Sequence, residues 1–247
     1  MCNFVVMNSA QSKSTPVLYL LPVPLSDTDP ACVMPARNIE VARSVKYFIV
    51  ENVRSARRFL KRCDRDIDID SLQFTVLDEH TPEQAVAGML APMAEGHDMA
   101  VVSEAGCPAV ADPGALAVEQ AHRSGYRVVP LIGPSSILLS LMASGFNGQT
   151  FAFAGYLPYA NDDRVKALKE MERRIRRERQ TQIFIETPYR NNKLVSELAR
   201  RLSPELRLCV ASDVTGPRES VRTMSLRDWS RATYDYDKTP AIFLLYV

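Results

Sequence analysis

Short apolar runs alternate with helical patterns along the chain from Thr15 onward. In the first half, β-branched and apolar runs predict strands at residues 17–21, 48–51, 72–77, 99–103 and 127–131. Helices are predicted between them. Two lie at residues 39–47 and 54–62, a third opens at residues 81–83, and a fourth ends at residue 123. Thr81 is the predicted N-cap of a helix that has Pro82 at its first position. Strands that alternate with helices in this way predict a mostly parallel sheet.

The second half continues the alternation and contains a long charged helix. Strands are predicted at residues 150–156, 181–186, 207–211, 219–224 and 241–247, and helices at 162–179 and 191–202. The loop at 145–148 predicts a domain boundary, because glycine stands at both of its ends. The expected fold class is therefore two α/β domains, a mostly parallel sheet in residues 15–147 and a mixed sheet in residues 148–247. Residues 1–14 form an N-terminal extension.

Composition and charge narrow the class of protein. The chain has 247 residues, of which 46% are hydrophobic and 24% charged, as in ordinary soluble globular proteins. The net charge of +1 provides no overall attraction to nucleic acid or to a membrane. The most apolar stretch, residues 128–146, is interrupted by Pro130, Gly133 and Pro134. We therefore expect no membrane span.

The cysteines and histidines predict neither a disulfide framework nor a metal site. The five cysteines are odd in number and widely spaced, and no C-x-x-C motif occurs. The three histidines show no metal-ligand spacing to them. This usage is typical of a reduced, cytoplasmic protein, and we expect no metal.

Four loops at predicted strand ends suggest where a ligand binds. The common nucleotide, zinc-protease and hydrolase motifs are absent from the sequence. Instead, loops rich in Gly, Pro and small polar residues follow strands at 22–27, 104–114, 133–136 and 186–190. Each loop taken alone is explained by ordinary turn chemistry. Together they favour a shared ligand, because ligands of open α/β sheets bind at the carboxyl ends of the strands.

The order of these loops resembles that of a known family. Residues 102–114, V-S-E-A-G-C-P-A-V-A-D-P-G, resemble the S-D-A-G-T-P…D-P-G stretch of the tetrapyrrole methylase superfamily. The branch most similar contains the small-subunit rRNA ribose 2′-O-methyltransferase. Similar motifs are E-N-V-R at 51–54, V-V-P-L-I-G-P-S at 128–135, F-A-F-A-G-Y-L-P at 151–158 and I-F-I-E-T-P-Y-R at 183–190. The matches follow the family order over nearly the whole chain from Leu18.

The resemblance implies a methyltransferase that binds S-adenosylmethionine in a cleft between its two domains, usually as a homodimer. By matching motifs, the implied cofactor-binding residues are Pro24, Leu25, Ala105, Gly106, Val110, Ser135, Ser136, Glu186, Ser212, Asp213, Pro240 and Ala241.

Several departures from the family pattern concern the substrate. The first loop has P-L-S-D at residues 24–27 where the family has P-I-G-N, and thus lacks a Gly that allows close backbone approach. The rRNA branch has R-E-L-T-K where this chain has A-S-D-V-T-G at 211–216, and lysines where this chain has Tyr159, Ala160 and Asn161. We therefore keep S-adenosylmethionine as the expected methyl donor, and the methyl acceptor is left open.

Methyl transfer to a hydroxyl needs a base, and loop carboxylates are the candidates. Glu104 and Glu51 are the predicted catalytic bases, and Arg54 is predicted to orient a phosphate or carboxylate of the substrate. The alternative is that all three residues have only a structural role. Carboxylates in loops often cap backbone amides, and Glu51 with Arg54 can form a salt bridge at the start of a helix.

RNA is the favoured acceptor, and two basic helices, 54–62 and 164–179, are the candidate RNA contacts. The alternative is a solvated helix face, which is the commoner explanation of a charge run. Two further hypotheses stay open. The chain either methylates a small, tetrapyrrole-like molecule, or it is an inactive relative that binds only the cofactor or a protein partner.

Overall fold

The computed structural model describes residues 15–247, so the predicted extension 1–14 and Cys2 lie outside the described residues. The described chain forms two compact units. The first consists of the chain up to Pro22, Pro35–Glu104 and Pro108–Ile132, and the second of Val23–Met34, Ala105–Cys107 and Gly133–Val247. Two short segments from the first half of the chain therefore belong to the second unit.

The strands of the described chain are β1 (Val17–Leu20), β2 (Tyr47–Val50), β3 (Gln73–Val76), β4 (Met99–Val102), β5 (Arg127–Pro130), β6 (Phe151–Tyr156), β7 (Thr181–Ile185), β8 (Arg207–Ser212), β9 (Ser220–Ser225) and β10 (Ala241–Tyr246). The α-helices are α1 (Pro30–Val33), α2 (Ala36–Ser44), α3 (Val53–Cys63), α4 (Glu83–Met89), α5 (Ala91–Ala94), α6 (Gly114–Arg123), α7 (Ser136–Ser144), α8 (Asn161–Glu178), α9 (Asn191–Arg201) and α10 (Leu226–Trp229). None of these helices is long and apolar enough to cross a membrane.

The sheet of the first unit is parallel throughout, in the order β3-β2-β4-β1-β5. In register, Leu18 of β1 stands opposite Met99 of β4 and Val128 of β5. The strand order reverses next to β1, and a ligand site is expected at the carboxyl ends of strands at such a point. The loops that follow β1 and β4 are two of the four loops singled out in the sequence.

Helix α3 shows how local sequence fixes an element of the first unit. Asn52 is its N-cap, and the side-chain oxygen accepts hydrogen bonds from the backbone N–H of Arg54 (2.9 Å) and of Ser55 (3.2 Å). The buried residues Ala56, Phe59, Leu60 and Cys63 recur at helical spacing, so that one face packs inward and the basic residues remain on the other.

The sheet of the second unit is mixed, in the order β6-β7-β10-β8-β9. Strands β6 and β7 are parallel, whereas β10 is antiparallel to both β7 and β8. Because β10 runs in the opposite direction, its first residues lie at the same edge as the last residues of β7 and β8. The predicted fold class, one mostly parallel and one mixed sheet, is confirmed.

Two details of the predicted helices were wrong. The helix predicted at 39–47 starts at Ala36 and ends at Ser44, because Val45 is extended and Tyr47 pairs in β2 with the two neighbouring strands. Thr81 does not cap α4. Its hydroxyl donates to the Asp78 carboxylate (2.9 Å) and accepts from the Asp78 N–H (3.0 Å), so that Pro82 is at the cap position.

The core of the second unit predicts a measurable cost for Trp229→Phe. Trp229 is 1% exposed, and its indole N–H donates to the Leu208 carbonyl (2.9 Å). We expect the free energy of unfolding to fall by about 1–3 kcal/mol, because a hydrogen bond is lost and a cavity is left. Urea unfolding measures this. In the control Tyr189→Phe, at an exposed ring, the change should stay within about 0.5 kcal/mol. Equal stability of Trp229→Phe and wild type would show that the buried indole and its hydrogen bond to Leu208 do not stabilise the core.

Candidate functional site

A cavity of about 240 Å³ lies within the second unit, at the edge where β6, β7 and β8 end and β10 begins. Its wall is largely apolar, with Ser136, Glu186 and Asp213 as polar groups. A mostly apolar pocket with a few fixed polar groups is the usual form of a small-molecule site. Within residues 15–247, no three His, Cys, Asp or Glu side chains lie close enough together to hold a metal ion.

Seven of the predicted cofactor residues line this cavity: Leu25, Ala105, Ser136, Glu186, Asp213, Pro240 and Ala241. The others are placed differently. Pro24 is buried, Ser135 caps α7 by accepting from the Leu138 N–H (3.4 Å), and the Ser212 hydroxyl donates to the Ser220 carbonyl (3.4 Å). Val110 belongs to the first unit and is 49% exposed.

Six further residues of the wall were not singled out in the sequence: Tyr156, Ile185, Pro188, Ala211, Val214 and Ile242. They are apolar or aromatic and lie next to predicted residues at strand ends. The motifs at 151–158 and 183–190 contain three of them. The sequence therefore indicated the right loops, but not which side chains face the cavity.

The predicted loops contact one another in the second unit. Val23 and Gly106 form an antiparallel bridge with hydrogen bonds of 2.9 Å in each direction. Gly106 has φ of +77°, and a Cβ there would stand 3.2 Å from Leu25 Cδ2. The Ser26 hydroxyl donates to the Thr215 carbonyl (3.1 Å). Glycine at position 106 therefore allows the first loop to pack closely and places Leu25 at the cavity wall.

Several loop residues next to the cavity have strained backbone. Asp213, Thr215 and Lys238 have φ of 49°, 66° and 62°, in the left-handed region. Such residues persist where surrounding contacts hold them, commonly at ligand sites. Here the Asp213 carboxylate accepts from the Arg218 N–H (2.9 Å), and Glu219 accepts from the Thr215 N–H (2.7 Å). The Asp213 side chain thus fixes its own loop.

A buried ion network stands behind the cavity wall. Arg164 is 4% exposed, and its guanidinium donates to Glu186 (2.8 Å) and to Glu197 (2.9 Å). The second oxygen of Glu186 accepts from the Thr187 N–H (2.9 Å), and that of Glu197 pairs with Arg201 (2.9 Å). Both oxygens of Glu186 are therefore engaged by the protein, and the buried Arg164 guanidinium compensates its charge, so this residue is a fixed polar part of the cavity wall.

The assignment of Arg164 to an RNA-binding basic helix was wrong. Its side chain is buried with Leu168, Met171 and Ile175, at spacings of four, seven and eleven residues on one face of α8. That spacing was visible in the sequence and is typical of the inward face of a helix.

The remaining basic residues of α8 are mostly paired within the helix. Glu170 accepts from Arg173 (2.6 Å) and Arg174 (2.9 Å), and Glu172 from Arg176 (2.8 Å). Hydrogen bonds from Arg173 and Arg174 lower the pKa of Glu170 to about 2. The run 173–176 thus offers less free positive charge than its composition suggests. On α3, Arg57 likewise pairs with Asp70 (2.6 Å).

The predicted catalytic residues Glu51, Glu104 and Arg54 lie in the first unit. Glu51 accepts from the Glu104 N–H (3.2 Å), and the Ser55 hydroxyl donates to the Glu104 carboxylate (3.0 Å). Arg54 is exposed, and in the described part of the chain its side chain forms no ion pair. The alternative of a Glu51–Arg54 salt bridge is therefore not observed.

Glu51 belongs to an acidic cluster of the first unit. It lines a second cavity together with Asp78, Glu104 and Asp112. Burial raises the pKa of Glu51, and the nearby charges of Asp112 and Glu104 raise it further against the hydrogen bond from the Glu104 N–H. Burial likewise raises the pKa of Asp112. A carboxyl with a raised pKa is a stronger base when ionised.

Residues 17–229 match the sequence profile described as Tetrapyrrole (Corrin/Porphyrin) Methylases. The chain is 29% identical over 221 residues to the ribosomal RNA small subunit methyltransferase I of Vibrio cholerae, covering 90% of this chain and 73% of that protein. It is 30% identical over 212 residues to the protein of the same name from Mesorhizobium japonicum, covering 86% and 68%.

Solved structures show the same fold. The methyltransferase CobJ superimposes with a TM-score of 0.62 at 18% identity, over 94% of both chains. Uroporphyrin-III-C-methyltransferase from Thermus thermophilus gives a TM-score of 0.53 at 18% identity, over 94% of this chain and 92% of that chain.

The buried network predicts that Arg164→Met is strongly destabilising. The substitution leaves Glu186 and Glu197 without their shared cation, and breaking a buried pair in this way costs about 3–5 kcal/mol. Urea unfolding at neutral pH tests this. The control Arg173→Met, on the same helix but exposed, should change the free energy of unfolding by less than about 1 kcal/mol. Similar losses for both variants would contradict a special role for Arg164.

The raised pKa of Glu51 predicts a pH-dependent effect of Glu51→Gln. The native state binds this proton more tightly than the unfolded state, so the carboxyl stabilises the fold below its ordinary pKa of 4.5 and this stability is lost as pH rises through the folded pKa. We expect Glu51→Gln to raise the melting temperature at pH 7, by at most about 3 °C because the group is partly solvated.

The difference between Glu51→Gln and wild type should vanish in acid, where the wild-type carboxyl is neutral too. Differential scanning calorimetry at both pH values measures it, with the exposed Glu95→Gln as control. A lower melting temperature of Glu51→Gln at pH 7 would show that the ionised carboxylate stabilises the fold, contrary to the prediction.

Proposed function

The chain belongs to the tetrapyrrole (corrin/porphyrin) methylase family, and from this premise we propose that it transfers a methyl group from S-adenosylmethionine to small-subunit ribosomal RNA. It is a methyltransferase, as its family and its relatives are. The observation that supports the RNA substrate is the similarity to rRNA small subunit methyltransferases over most of the chain. We propose a ribose 2′-hydroxyl as the methyl acceptor, in a cytoplasmic homodimer.

The residues of the cavity fit S-adenosylmethionine. Leu25, Ile185 and Ile242 provide apolar surface for a planar base, and Ser136 and Asp213 are polar groups at the wall. The Glu186 carboxylate, held by Arg164 and the Thr187 N–H, is a third polar group at the wall. The first loop lacks the family glycine at Ser26, yet Gly106 is present and Leu25 reaches the wall.

When bound, S-adenosylmethionine supplies a methyl group on a positively charged sulfur, so the acceptor oxygen needs only alignment and loss of its proton. We propose Glu104 or Glu51 as the base that takes this proton. Glu104 directly precedes Ala105 of the cavity wall in the chain, and its carboxylate is oriented by Ser55. We propose that the exposed guanidinium of Arg54 orients a phosphate of the substrate.

Transfer of a labelled methyl group tests the proposed function. Purified protein, labelled S-adenosylmethionine and unmodified small-subunit rRNA should give labelled RNA, with a 2′-O-methylated nucleoside after digestion and mass spectrometry. Glu104→Gln should lower the rate at unchanged donor affinity. Donor binding without RNA labelling would favour a small-molecule substrate or an inactive relative. Absence of donor binding in calorimetry would overturn the proposal altogether.

Gly106→Leu should weaken donor binding by more than about tenfold, which is about 1.4 kcal/mol. A side chain at φ of +77° is strained and displaces Leu25 from the cavity wall. The control is Gly125→Leu, where φ is +72° but no atom stands within 4 Å of the added Cβ. Isothermal titration measures both. Equal donor affinity of the two variants would show that position 106 does not shape the site.

A further inference from the structure

A groove of about 340 Å³ lies on the second unit beside α9, outside the donor cavity. Its main residues are Tyr159, Arg190, Lys193, Ser196, Arg200 and Arg201, and we call it the α9 groove. Lys193 and Arg200 are seven residues apart, two helical turns, and therefore share one face of α9. Lys193 and Arg200 lie outside the sequence motifs and outside the proposed donor site.

The groove has free positive charge. Five cationic side chains line it, against Glu197 as the acidic one. Arg164 and Arg201 are used by the buried network, and Arg190 lies 3.8 Å from Glu186. Lys193 and Arg200 are exposed and form no ion pair among the described residues. These two cations differ from Arg173, Arg174 and Arg176, which pair with Glu170 and Glu172 within α8.

An exposed aromatic ring lies beside this charge. Tyr159 is 88% exposed, and the Arg190 guanidinium stands 5.2 Å from the centre of its ring. Exposed rings are the platforms on which single-stranded nucleic acids stack their bases. Cations for the phosphates and one ring for a base, that of Tyr159, line the same groove.

The α9 groove is linked to the donor cavity. Arg164 lines the groove and donates to Glu186, which lines the cavity. The segment 186–190 begins at the cavity wall with Glu186 and Pro188 and reaches the groove at Arg190. The segment 156–159 does the same with Tyr156 and Tyr159. A strand held in the groove therefore lies next to the place where the methyl donor is proposed to bind.

We propose that the α9 groove binds single-stranded rRNA, with Lys193 and Arg200 on backbone phosphates and Tyr159 stacked on an unpaired base. The proposal rests on the proposed function and names its RNA contact surface. Single-stranded RNA fits better than a duplex, because duplex bases are stacked on each other and unavailable to a protein ring.

Fluorescence anisotropy with a labelled single-stranded RNA oligonucleotide tests the charge. The double variant Lys193→Ala/Arg200→Ala should bind the RNA at least about tenfold more weakly. The magnitude of the slope of log affinity against log salt should decrease by about 1.4, because each of the two lost phosphate contacts contributes ~0.7. The matched control is Arg173→Ala/Arg174→Ala, which removes the same charge from exposed but paired positions and should bind almost as wild type.

Tyr159→Ala tests the stacking. It should weaken binding of the single strand by about fivefold or more, whereas Tyr159→Phe should bind as wild type, because the ring and not the hydroxyl makes the contact. A double-stranded RNA of the same sequence should show little response to Tyr159→Ala. All these positions are exposed, so the melting temperature and the affinity for S-adenosylmethionine should remain unchanged.

Three outcomes would overturn the proposal. If wild type binds the oligonucleotide and both double variants bind it with wild-type affinity, RNA contacts the protein elsewhere, and the proposed function is unaffected. If wild type binds S-adenosylmethionine but no RNA, the proposed substrate fails together with the groove. If the groove variant loses affinity for polyglutamate but keeps its affinity for RNA, the groove recognises an acidic protein segment instead.

Discussion

The buried guanidinium of Arg164 joins the elements on which the second unit depends. It lies on the inward face of α8 and donates to Glu186 at the end of β7 and to Glu197 on α9. A charge removed from water must be compensated where it lies, so these three side chains fix one another's positions. Arg201 adds a second cation to Glu197. The wall of the cavity at the end of β7 and the base of the α9 groove are thereby parts of one network.

The loops at the cavity are held by a second constraint, which is their backbone geometry. Gly106 is left-handed and pairs with Val23 in a bridge between two loops, and Asp213 and Thr215 adopt left-handed conformations stabilised by side-chain acceptors within their own loop. Strain of this kind is tolerated because short hydrogen bonds surround it. Ala105, Asp213 and Val214 are thereby held at the cavity wall.

Charge on this protein is informative only together with its partners. The arginine run on α8 is the most basic stretch of the chain, yet Glu170 and Glu172 pair with three of its members. The cations of α9 are fewer, but Lys193 and Arg200 have no such partner in the described chain, and the exposed ring of Tyr159 lines the same groove. Surface pairs contribute little to stability, but they reduce the charge that is available to a ligand.

The sequence by itself determined the strands, most of the helices and the order of the functional loops. Apolar runs and helical spacing record which parts of an element are buried, so the strands, the fold class and α3 were predicted closely. The motifs at 104–114, 133–136 and 186–190 indicated the family and the loops of the site. Glycine, proline and serine at fixed offsets express local backbone requirements, and such requirements are legible in one sequence.

Only the tertiary structure decided which side chains meet. Arg164 stands 22 residues from Glu186 and 33 from Glu197, so no local pattern could show that it is buried between them. The segments Val23–Met34 and Ala105–Cys107 belong to the second unit, although they are covalently part of the first half of the chain. Which residues of a loop face the cavity, and which cations remain unpaired, follow from contacts between distant segments. These contacts depend on the packing of whole elements, which a linear pattern does not contain.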